Sequence, residues 1–181
     1  MHCTLRRLLL LAAAGTLSLL GACVETGGEP MKTVDYVDLD RFMGDWYVVA
    51  NIPTFVEKGA HNAVESYALN PDGTIATTFT FNKDSFDGPK KTYSPKGFVL
   101  DETTNARWGM QFIWPIKADY RIIYLDDAYQ TTVVGRAKRD YVWVMSRSPD
   151  FSDAELDEMR SFIANVGYDP TSLKRVPQQG G

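Results

Sequence analysis

The sequence predicts an all-β domain with a single helix near its end, and three observations carry that prediction. Short runs rich in β-branched and aromatic residues follow one another from residue 44 to residue 147. Explicit turn signals separate them. One amphipathic stretch with a capping signature follows the last run. Short strands joined by hairpins build either a β-sandwich or an up-and-down barrel, and composition alone leaves both open.

Eight runs have strand character, at 44–50, 62–70, 74–82, 92–101, 106–114, 119–126, 130–136 and 141–147. Between them stand NPDG at 70–73, DETTN at 101–105, DDAY at 126–129 and AKRD at 137–140. In NPDG the proline presets φ and the glycine takes a positive φ at little cost. Alternation selects the inward faces. Trp108, Met110 and Phe112 share one side of their run, as do Ile75, Phe79 and Phe81 of theirs. Tyr141-Val142-Trp143-Val144-Met145 is apolar on both sides, so something must cover its outer face.

The cover follows directly. Ser152 and Glu155 form a capping box, and Phe151 and Leu156 occupy the staple positions around it. Leu156, Met159, Phe162, Ile163 and Val166 then make one apolar stripe, which Gly167 and Pro170 end. TSLKRVP, 171–177, fits a final short edge strand.

The beginning of the chain has another character. Arg6 and Arg7 precede an apolar run from Leu8 to Leu20, 13 residues long. A transmembrane helix needs about 20 apolar residues, so this run reads as an export signal over residues 1–22. LGAC, Leu20 to Cys23, resembles the bacterial lipoprotein box. That resemblance implies that Cys23 becomes the acylated first residue of the mature protein. Val24 in place of an aspartate then implies the outer membrane. Several acyl chains on one cysteine anchor stably where a single chain is marginal. VETGGEP, 24–30, reads as a flexible tether, which gives a lipidated segment at 23–33 and a domain at 34–178.

Without the signal the chain keeps 159 of its 181 residues, enough for one core. It carries 17 basic against 23 acidic side chains, a balance of −6 that disfavours nucleic acid. Cys3 is lost with the signal, so no disulfide forms within the mature chain.

Three motifs stand in order: Gly44-Asp45-Trp46-Tyr47, then Leu125-Asp126-Asp127-Ala128-Tyr129, then Tyr141 to Arg147 with Trp143 at its centre. Together they resemble the lipocalins, above all the bacterial outer-membrane lipoprotein lipocalins, relatives of apolipoprotein D and the temperature-induced plant lipocalins. The resemblance covers nearly all of residues 34–178. It implies an eight-stranded antiparallel up-and-down barrel with one C-terminal α-helix packed outside and a short final strand. In a meander the start of the first strand, the end of the eighth and the turn between the sixth and seventh share one rim. The resemblance implies that this rim is closed, with Trp46 across the floor and Arg147 over its ring. Gly44, Asp126 and Tyr129 complete the structural motif.

The opposite rim is then open. Its loops lie at 51–61, 83–91, 115–118 and 137–140, and Phe55, Phe86, Trp114 and Ile116 give it apolar character. Phe79, Trp108, Met110, Phe112, Tyr120 and Trp143 are the candidate ligand-binding residues. An inward position inferred from strand parity fits a packed core as well as a pocket wall.

Catalytic signals are missing. His61 is the one histidine after the signal, and no nucleophile elbow, metal-ligand cluster or phosphate loop accompanies it. No enzyme activity, cofactor or metal is expected. Glu65 is a candidate buried acid meeting a ligand head group, although a mid-strand acid often faces solvent. The resemblance implies a membrane-anchored protein that binds, stores or transports a fatty acid or lysophospholipid in the cell envelope, its domain facing the periplasm. Its partners are then that ligand and the membrane; the oligomeric state stays open, a homodimer included. A lipid-modifying enzyme on the same barrel and a ligand-free envelope scaffold are the alternatives.

Overall fold

A computed structural model describes residues 30–179. The expected signal peptide, the lipidation at Cys23 and the tether up to residue 29 lie outside the described residues.

The strands are β1 Gly44–Ile52, β2 Ala60–Leu69, β3 Thr74–Lys83, β4 Lys90–Tyr93, β5 Lys96–Val99, β6 Arg107–Ile113, β7 Ile116–Leu125, β8 Thr131–Gly135, β9 Val142–Ser146 and β10 Lys174–Arg175. Two helices accompany them, α1 Leu39–Phe42 and α2 Asp153–Asn165. Each strand from β1 to β9 pairs antiparallel with its sequence neighbour, except that β3 carries both β4 and β5. β1 also pairs with β9, which closes the sheet into the predicted eight-stave barrel.

Three departures from the expected elements have local causes. The run expected at 92–101 is two strands, because Pro95 has no N–H for the ladder. β5 continues to β6, whereas β4 pairs with β3 alone and leaves its other edge unpaired among the described residues. Ala50 shares the parity of Trp46 and Val48, which by alternation alone puts it on the inner wall, but a register shift between Val48 and Ala50 turns Ala50 outward. The helix α1 has no counterpart among the expected elements. Asp38 caps it by accepting the Arg41 N–H, and Phe42 at its end is fully buried.

Apolar residues divide between two cores. The inner one fills the lower barrel with Phe42, Trp46, Tyr67, Ile75, Trp108 and Ile122. The outer one joins Val49, Val133, Val142 and Val144 on the barrel wall to Leu156, Met159 and Ile163 of α2. The capping box forms, with Ser152 Oγ accepting from the Glu155 N–H and Glu155 accepting from the Ser152 N–H. The C-terminal segment fills a wedge between the parting upper halves of β1 and β2. There β10 pairs with Ala50 and Asn51, and the Gln178 amide donates to the carbonyls of Val48 and Ala63. Among the described residues, both cores lie within residues 31–176.

The floor is built around Arg147. Its guanidinium carbon stands 3.8 Å from the Trp46 ring centre, a cation–π distance. Its N–H groups donate to the carbonyls of Arg41, Phe42, Met43 and Asp45. One side chain therefore ties the last strand to the end of α1 and to the entry of β1. Trp46 donates from its indole to the Phe42 carbonyl at 2.8 Å. Gly44 enters β1 with φ +93°, and a Cβ there would stand 3.4 Å from Arg147 Nη1. From the far side, the Tyr129 hydroxyl accepts the Asp38 N–H at 2.9 Å, and Asp126 accepts from Gln130 and Thr131 to hold that turn.

Arg147→Lys keeps the charge and loses the planar fork. It is expected to lower stability by about 2 kcal/mol in urea unfolding. Unchanged stability would show that the floor does not depend on that fork.

Candidate ligand-binding site

Above the floor the barrel is not filled. A cavity of about 560 Å³ opens towards the rim formed by the β1–β2, β6–β7 and β8–β9 connections. That volume falls in the range of small-molecule sites. Phe79, Met110, Ala118, Tyr120, Trp143 and Met145 form its wall, and Phe55, Phe112 and Ile113 stand at its mouth.

Five of the six candidate ligand-binding residues line this cavity: Phe79, Met110, Phe112, Tyr120 and Trp143. Phe112 stands at the lip and is largely exposed. Trp108 does not line it. Its ring lies beneath Tyr120, stacked at 5.3 Å and 9°, and edge-on to Phe42 at 5.4 Å. It belongs to the floor, with its indole donating to the Asn105 carbonyl.

Polar groups in the cavity fall into two sets. The deep set is Glu65 and Tyr120, with Tyr67 behind them. Glu65 sits opposite Trp46 on one side and Phe79 on the other, and it lines the cavity where Trp46 does not, which places it at the floor end of the cavity. The hydroxyls of Tyr67 and Tyr120 meet at 2.5 Å. Glu65 Oε2 is shut off from solvent and has no hydrogen-bond partner among the described residues. Burial, reinforced by the charge of Glu57, pushes the Glu65 carboxyl up to about 8, while the Tyr67 hydroxyl opposes part of that rise. Tyr67 and Tyr120 are pushed upward too, chiefly by burial, so both phenols stay neutral.

The upper set is Glu57, Asp119 and Arg136. Glu57 is buried in the β1–β2 loop and accepts from the Trp143 indole at 3.1 Å and from the Thr54 N–H at 3.1 Å. Burial raises its carboxyl and these donors hold it back. Asp119 is engaged by Arg121 at 3.0 Å and by the Ala137 N–H. Arg136 pairs with Asp140 at 3.3 Å and leaves its buried Nε without a partner. His61 lies away from this set, at the start of β2, with its ring against Phe86 at 5.0 Å.

A barrel with one sealed end, one open end and a half-empty interior has known relatives. The lipocalin-like domain family matches residues 37–178, nearly the whole described chain. The outer membrane lipoprotein Blc of Escherichia coli is 30% identical over 96% of this chain and 99% of its own. The chain is a lipocalin. Temperature-induced lipocalin-1 of Arabidopsis thaliana is 28% identical over 84% of this chain and 86% of its own. Among solved structures, insecticyanin of the tobacco hornworm superposes with a TM-score of 0.63 at 14% identity, covering 81% of this chain and 83% of its own. At that identity the likeness concerns the fold alone.

In this lipocalin, Glu57, Arg136 and Met145 are cavity residues that strand parity did not single out. Met145 shares the parity of Trp143, so alternation contained its signal. Arg136 follows directly on the last residue of β8, and Glu57 sits in a loop, where periodicity is silent.

Glu65 also sets a pH dependence. Its ordinary value is 4.5, so between that and about 8 the unfolded chain is ionised at this position and the folded barrel is protonated. Its contribution to stability is therefore complete below 4.5 and is lost as pH rises through about 8. Glu57 acts in the same direction. Urea midpoints taken at about pH 5, 7 and 9 are expected to fall with pH, and Glu65→Gln is expected to flatten that fall. An unaltered slope in the variant would remove Glu65 as its source.

Proposed function

We propose that this lipocalin binds and carries an amphiphile with an anionic head group, of the fatty acid or lysophospholipid class, while tethered to the outer membrane by acylated Cys23. The observation that carries this is the apolar cavity of about 560 Å³ with the Arg136 side chain at its mouth. Apolar walls supply affinity at about 25 cal/mol per Å² buried. A guanidinium at the mouth of an apolar cavity suits a carboxylate or phosphate oxygen. The open interior weighs against a packed scaffold.

The rim supports delivery between cavity and bilayer. Phe55 is 81% exposed and Trp114 82%, with Ile113 and Ile116 beside the latter on the β6–β7 turn. Pro30, Met31 and Lys32 share a groove with Arg139 of the β8–β9 loop, so the described chain begins at the cavity end of the barrel. The seven links from Cys23 to Pro30 reach at most about 25 Å. An anchor at Cys23 therefore holds the mouth close to the membrane surface. The outer membrane lipoprotein relatives support that location.

Organic extraction of the protein purified from membranes is expected to release a fatty acid or lysophospholipid by mass spectrometry. Added lysolipid is expected to quench tryptophan fluorescence through Trp143. Failure of both would sink the ligand proposal. Separately, Cys23→Ser should move the protein out of the membrane fraction; unchanged fractionation would refute lipidation.

A further inference from the structure

The cavity's deep end is unsuited to a plain hydrocarbon terminus. Its walls are apolar, yet Glu65, the cross-strand partner of Trp46, and Tyr120 line it, with the Tyr67 hydroxyl 2.5 Å from that of Tyr120. Burying a carboxyl whose Oε2 has no partner among the described residues costs free energy that a leucine or methionine at the same position would not cost. The one described side-chain partner of Glu65 is the Tyr67 hydroxyl, which leaves Oε2 unmatched. Phe42, Tyr67 and Trp108 close the floor beneath by ring contacts, and no described hydrogen bond or ion pair to another side chain runs through Glu65 Oε2. Oε2 itself is sealed, but Glu65 as a whole still presents part of its surface to the cavity. A methyl group pressed against it would bury that polar remainder and give nothing in return. An oxygen on the ligand would satisfy it.

We infer that the ligand carries a hydrogen-bonding group, a hydroxyl or keto oxygen, at the end of its chain that enters first, and that Glu65 with Tyr120 is the subsite that selects it. This rests on the proposed anionic-amphiphile reading and sharpens it, because the ligand becomes polar at both ends. Arg136 meets the anionic head at the mouth and Glu65 meets the distal oxygen at the bottom. The two contacts lie at opposite ends of one cavity, so the subsite also measures chain length. A hydroxyl pairs with a carboxyl in either protonation state, accepting its proton or donating to its oxygen.

The test compares palmitic acid with ω-hydroxypalmitic acid, each displacing a fluorescent fatty acid from the chain beginning at Val24, which retains every described residue of both cores. One additional satisfied hydrogen bond predicts about tenfold tighter binding of the hydroxylated acid. Glu65→Gln, which still pairs with a hydroxyl, should keep most of that preference. Glu65→Leu should reverse it, because the leucine favours the methyl terminus. Equal affinities in the wild-type protein, or a preference that survives in Glu65→Leu, would overturn the subsite and leave hydrophobic-ligand binding standing. If neither acid displaces the probe, the amphiphile reading falls and the subsite falls with it.

Discussion

The guanidinium of Arg147 is the constraint on which this barrel depends. A closed sheet has two ends, and a ligand site requires that only one be open. Strand pairing gives no such asymmetry. It arises because one cation takes four carbonyls from the α1–β1 segment and covers the indole that spans the floor. Arg41 repeats the arrangement on a smaller scale, lying over Tyr129 at 3.9 Å and donating to the Asp127 carbonyl. The first helix is thus clamped from two sides, and the interior above it is free to stay empty.

Much of this was legible because strand alternation and capping are local. The face carrying Ile75, Phe79 and Phe81 turned inward together, and Ser152, Glu155, Phe151 and Leu156 marked the start of α2. The illegible parts are those where local rules compete with distant pairing. Parity carries Ala50 inward, but the β1–β9 register shifts between Val48 and Ala50, in the stretch where β1 also exchanges β2 for β10. The helix α1 is only four residues long, and its reason to fold is the clamp above rather than its own propensity. Parity put Trp108 on the inner face, but it could not separate floor from cavity wall, since depth along the axis is a property of register.

The polar residues of the cavity show the same division between fold and function. Every large group beneath the cavity is matched, ring to ring or donor to carbonyl. Within it, Glu65 at the deep end and Thr54 and Arg136 at the mouth keep buried atoms unmatched among the described residues. Marginal stability makes such omissions expensive. Their placement on the two ends of an otherwise apolar space concentrates that expense where a bound molecule can repay it.

The unpaired edge of β4 has a mechanical consequence. Pro95 ends the ladder there, and Lys90 and Lys91 on the exposed strand discourage another chain from docking along it. Elsewhere around the circumference each stave is bonded on both sides, so widening the barrel would break bonds in pairs. Between β4 and the upper half of β6 no ladder resists. The wall is therefore stiff around most of its perimeter and compliant along one seam, beside Tyr93, Ser94 and Pro95 of the cavity lining. A calyx built this way can accept guests of different girth by elastic opening at one joint, with the sealed base undisturbed.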